Sequence, residues 1–133
     1  MLLIRLTALT AFVLLPIAAQ AQIGFKQNAL GRTIAISGLT SADDDVGCGH
    51  ADFSGRVVHR EFEPNAVTLK AFVIEHRDGT RDYINVSVPD EIDEATRRAV
   101  YPGLQRLTKV GRVVSGKVIV CGSGEIETLS AIK

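Results

Sequence analysis

From Val110 to Cys121, valines and isoleucines recur at every second position. Val114, Val118 and Val120 fall on one parity, and Val113 and Ile119 on the other. A period of two marks a β-strand, whose successive side chains point to opposite faces. The same period runs through Ala51–Phe62, with Phe53 and Val57 on one parity and Val58 and Phe62 on the other. The switch at Val57-Val58 predicts a bulge, because one inserted residue reverses which side chains face inward. Ala66–Glu75 (Val67, Leu69, Val73 against Phe72, Ile74), Arg81–Val88 (Ile84, Val86, Val88) and Ile126–Ile132 complete five predicted strands. Arg32–Leu39, with Ile34 and Ile36 on one face, predicts a further short strand, whereas Gln22–Ala29 has no period and reads as a loose lead-in.

Polar punctuation sets the connections. Glu63-Pro64-Asn65 predicts a turn, and Asp78-Gly79 between two strand-like runs predicts a hairpin, since both residues tolerate positive φ. Three strands joined this way form a meander. Pro89 ends it. Asp90, Asp93 and Glu94 then precede Arg97, Arg98, Arg106 and Lys109, the charge order a helix dipole favours, while Ala95, Ala99, Val100, Leu104 and Leu107 recur at helical spacing. Pro102-Gly103 predicts a kink or split in that helix. Thr40–Gly49 and Gly122-Ser123-Gly124 read as loop and tight turn.

Residues 1–21 carry a different pattern. Arg5, an apolar run from Leu6 to Ala19 broken by Pro16, and Ala19-Gln20-Ala21 predict a signal peptide cut before Gln22. The run is shorter than the roughly 20 apolar residues a spanning helix needs. Residues 22–49 are then a lead-in and loop, and residues 50–133 one β domain, placed in the periplasm or outside the cell with no membrane attachment after cleavage. An exported chain with two cysteines, Cys48 and Cys121, most simply forms one disulfide. Closing so long a loop stabilises the fold by about 4 kcal/mol on the chain-entropy estimate. Fifteen basic and fifteen acidic residues, no tryptophan and two tyrosines argue against nucleic acid as a partner.

Three meandering strands, a helical segment and two further strands resemble the OB-fold: a mainly β, five-stranded Greek-key barrel with its helix between the third and fourth strands. The resemblance covers roughly Asp52–Ile132 and is one of element order. It implies that the first strand pairs antiparallel with the fourth, which brings Cys48 beside Cys121 within the reach a disulfide requires. The competing architecture is a small open sheet with one helix packed on a face. The order is also similar to the secreted thermonuclease barrels. Those enzymes use calcium-binding aspartates and arginines at the scissile phosphate. Arg56, Arg60, Arg77 and Arg81 are present here, but Asp78-Gly79-Thr80 lacks the second aspartate of that loop, so no catalytic residue carries over.

Candidate chemistry is sparse. His50, His59 and His76 have no metal-ligand spacing, and neither metal nor cofactor is expected. Asp43-Asp44-Asp45 lacks the spaced oxygens and terminal Glu of a calcium loop, and Ser123 lies between strands, unlike a nucleophile elbow. Fold analogy directs attention to the second and third strands of the meander, and the candidate binding residues are Arg56, His59, Arg60, Glu61 and Asp78. The expectation is an exported, non-enzymatic binding module for a protein, glycan or small ligand, a class that includes inhibitor and immunity proteins. The alternative is a metal-dependent periplasmic hydrolase using Arg56, His59, Arg60 and Glu61 with a carboxylate of the Asp43 loop.

Overall fold

The computed structural model describes residues 23–40, 47–122 and 126–133. The signal-peptide prediction, the Asp43–Asp45 loop and the turn at Ser123-Gly124 lie outside the described residues. The chain is mainly β, with strands β1 (Gly24–Gln27), β2 (Thr33–Ser37), β3 (Cys48–Phe62), β4 (Leu69–Glu75) and β5 (Arg81–Asn85). Helix α1 (Glu94–Leu107) follows, then β6 (Val113–Cys121) and β7 (Ile126–Ile132). These form one seven-stranded sheet in the order β1-β2-β7-β5-β4-β3-β6, with β6 also paired to β7, so that five strands make a partial ring. Nine register pairs join β3 to β6, whereas the parallel β5–β7 contact has only Ile84↔Glu127 and Asn85↔Thr128. No described helix is long and apolar enough to cross a membrane.

Two strands join the five: β2 is the short strand expected over Arg32–Leu39, and β1 lies in the stretch read as a loose lead-in. Gly24–Gln27 pairs with Thr33–Ser37, and Asn28 makes the turn. Its Oδ1 accepts from the backbone N–H groups of Leu30 and Arg32, each at 3.0 Å, and Gly31 takes φ 74°. The bulge expected at Val57-Val58 is present as a register shift against β4 between Val57 and His59. Val57 is buried before it, and Phe62 packs on the core after it.

The turns fall where punctuation placed them, with different geometry in detail. Only Gly79 has positive φ at the β4–β5 turn. Asp78 keeps ordinary backbone and its Oδ1 accepts from the Thr80 N–H and hydroxyl at 2.9 and 2.6 Å. The loop closes between His76 and Thr80, a type I turn followed by a glycine bulge rather than a two-residue hairpin. After Glu63, Asn65 Oδ1 captures the N–H groups of Val67 and Thr68, which delays β4 to Leu69.

Helix α1 is a single element through Pro102-Gly103, so the segment is not split there. Asp93 caps it by accepting from Thr96 N–H at 2.6 Å. Val100, Leu104 and Leu107 are buried in one cluster with Ile36, Val57, Phe72, Ile74, Ile84, Val118 and Leu129. Each buried leucine there contributes roughly 1.5–3 kcal/mol, enough to offset the one hydrogen bond that Pro102 cannot make. Gly103 permits the approach of β2: a Cβ there would lie 3.1 Å from Ile36 Cδ1. Buried Thr108 is satisfied through its hydroxyl, which donates to Leu104 O at 2.7 Å. Cys48 and Cys121 are directly opposed in the β3–β6 register and joined as a disulfide, with Cα atoms 4.1 Å apart.

Candidate functional site

A cleft of about 560 Å³ crosses five strands where the N-terminal hairpin meets the ring. Its lining resolves into three register rows. The middle row is Phe25–Ile36–Ile132–Gly116–Phe53, one residue from each of β1, β2, β7, β6 and β3. Ile36, Ile132 and Phe53 are buried, so the middle row sends its side chains to the core and gives the cleft its backbone. Strand alternation puts the flanking rows on the opposite face. The same register places Gly24, Ser37, Ala131, Lys117 and Asp52 on one side and Lys26, Ala35, Lys133 and Ser115 on the other.

The centre of this trough is low because Gly24, Ser37, Ala35, Ala131 and Ser115 are small. Gly116 lies at its middle for a steric reason. A Cβ there would sit 1.9 Å from Ala131 O and 2.9 Å from Phe53 Cε1, so only glycine lets β7 cross β6 this closely. The rim is basic. Lys117 Nζ lies 3.2 Å from Asp52 Oδ1, both side chains being well exposed. Among the described residues Lys26 and Lys133 have no carboxylate partner. Lys133 is held in place by its backbone, which exchanges hydrogen bonds with Ser115 at 2.8 and 3.1 Å.

The five residues singled out in the sequence do not line this cleft. Arg56 Nη1 donates to Gly111 O at 2.6 Å and Arg60 Nη1 to Gln105 O at 3.1 Å, tying β3 to the end of α1 and the loop after it. The Arg60 guanidinium also lies 5.1 Å above the Phe62 ring. Glu61 Oε2 accepts from the Tyr83 hydroxyl at 2.6 Å, and this carboxylate holds the phenol above its ordinary pKa. His59 is exposed on β3, paired with Val73. Asp78 is committed to its turn; its bonds from Thr80 hold the carboxyl below the ordinary range. Arg56 and Arg60 are thus spent on backbone carbonyls, and Glu61 on Tyr83. Among the described residues no three His, Cys, Asp or Glu side chains converge in a metal-ligating set.

A second polar group closes one end of the ring. His76 Nε2 is 2.6 Å from Asp82 Oδ2. That bond, the Asp82 charge, the Ser54 carbonyl and Asp78 together raise the His76 pKa above 6.5. Glu127 is raised above 4.5 by burial first and by Asp82 second.

No family model, curated protein or solved structure matches the chain. None of Lys26, Asp52, Lys117 and Lys133 was marked by sequence alone. The one available signal was Gly116 within a strand, which points to a close backbone approach. The row that assembles the site joins positions more than ninety residues apart, Phe25 with Gly116 and Ile132.

Proposed function

We propose that this chain is an exported, non-enzymatic binding module, built on an OB-like ring, that takes its ligand in the cleft between the N-terminal hairpin and β3, β6 and β7. The OB-like reading is supported by the order of pairings. Counting β3, β4, β5, β6 and β7 as one to five, one pairs with two, two with three, three with five in parallel, five with four, and four with one. Export is supported by the apolar leader before Gln22 and by the disulfide, which persists in oxidising compartments.

The observation that carries the binding reading is the cleft itself. Its volume falls within the range of ligand sites, its floor is apolar and small, and its few charged groups stand at the rim. A protein partner, as an inhibitor or immunity protein has, fits this arrangement, because the cleft is open along its length rather than enclosed.

A photo-crosslinking amino acid placed at Ser37 or Ala131, on the cleft floor, tests it in the producing cell. An adduct of one defined mass is expected from both positions in the extracytoplasmic fraction, and none from Glu63, which lies on the distant β3–β4 turn. Failure of both cleft positions to give an adduct would overturn the reading.

A further inference from the structure

Resting on the binding-module reading, we infer that the cleft takes an extended acidic peptide segment of a partner protein, laid across the strands with its carboxylates over the β1–β7 half. Size comes first. The lining spans five strands, four inter-strand steps of about 4.8 Å, so the trough is roughly 19 Å long. An extended chain rises about 3.3 Å per residue, so about six residues fill it. A lone inorganic anion would leave most of that length empty.

Shape comes second. The backbone of the middle row is already engaged in sheet pairing, so a ligand gains little from main-chain hydrogen bonds and must be held by its side chains. The small residues of the flanking rows leave room for apolar side chains, and the lysines stand at the edges to receive charge.

Charge gives the direction. Lys26 and Lys133 bracket Ala35 in one row, two strand spacings or about 10 Å apart. Alternate residues of an extended chain share a face and are about 6.7 Å apart, a span that two flexible lysine stems can meet. The opposite end carries Asp52, already paired with Lys117, and repels a further carboxylate. The ligand that fits has two acidic residues at alternate positions near one end and uncharged residues toward the other.

The test uses two capped hexapeptides, Glu-Ser-Glu-Ser-Val-Ser and Gln-Ser-Gln-Ser-Val-Ser, in which the valine shares the face of the two acids or amides, titrated into the oxidised mature chain and followed by amide resonances. The acidic peptide is expected to shift residues 24–26, 35–37, 115–117 and 131–133. The Gln peptide should bind about fivefold more weakly, as two mid-range exposed ion pairs together would give. Raising salt from about 0.05 to 0.5 M should narrow the gap. Lys26→Gln with Lys133→Gln should remove it, whereas Lys70→Gln, an exposed lysine on β4, should not. Both lysines are exposed and unpaired, so unchanged resonances elsewhere will report an intact fold.

Equal binding of the two peptides, binding of neither, or shifts outside the cleft would overturn the inference. So would tighter occupation by dodecanoate, which would mark a lipid site, or concentration-dependent shifts of the cleft without ligand, which would mark a second copy as occupant. A crosslinked partner at Ser37 together with any of these results would leave the binding reading standing and remove only the acidic segment.

Discussion

Single residues in this molecule are constrained by what lies across the strand from them. Gly116 and Gly49 are both strand glycines of the ring, yet a Cβ at Gly49 meets nothing within 4 Å while one at Gly116 would collide with Ala131 O. Gly116→Ala should therefore cost about 1–3 kcal/mol, as overpacking does, and Gly49→Ala should stay within about 0.5 kcal/mol; urea denaturation of the two variants checks the contrast. His76 makes a pH prediction of definite sign. Its folded pKa is raised, so the folded chain binds more protons than the unfolded one between 6.5 and that raised value. The stabilisation from the Asp82 pair is fully present below pH 6.5 and lost as pH rises through the folded pKa. Glu127 acts in the same sense from pH 4.5 upward, since its folded pKa is also raised. The urea midpoint should fall between pH 6 and 8 in the native chain and fall less in His76→Gln.

At the level of elements, the strands were legible because apolar residues run through them between polar turns. In β3 the parity holds, with Phe53 and Val57 buried on one face, whereas β4 buries Leu69 as well as Phe72 and Ile74, and β6 buries Ile119 as well as Val114 and Val118. What misled was local chemistry overridden by packing. Pro102-Gly103 reads as a break, but the helix continues because Val100, Leu104 and Leu107 must all reach one core and Gly103 seats it against Ile36. Gly24–Gln27 reads as lead-in since a four-residue strand is too short to show a period, and its turn is set by the Asn28 side chain. The helix gives a prediction of opposite sign to most substitutions. Pro102 is exposed and removes the donor for the Arg98 carbonyl, so Pro102→Ala restores that bond and should stabilise by about 2 kcal/mol, the proline penalty less the flexibility regained by the unfolded chain. A rise in urea midpoint at unchanged slope is the expected reading, and a fall would mean that the ring of Pro102 packs in a way its exposure does not suggest.

The candidate site was the least legible feature, because its rows are assembled by the sheet as a whole; a one-dimensional pattern shows which residues face out, not which outward residues meet. The same whole-molecule view distinguishes two seams of the ring. β3 and β6 share nine register pairs and the Cys48–Cys121 crosslink, whereas β5 and β7 share two pairs. Local opening follows the weakest seam, so amides bonded across β5–β7 should exchange with solvent through local opening and those across β3–β6 only through global unfolding. The disulfide acts chiefly by restricting the unfolded chain over a separation of 73 residues. Replacing both cysteines by serine should lower global stability by about 4 kcal/mol. Native-state hydrogen exchange should then show protection across β3–β6 falling by that amount while the β5–β7 amides keep their rates. Equal acceleration at both seams would mean that the crosslink holds the ring closed in the native state, and that closure is not carried by strand pairing alone.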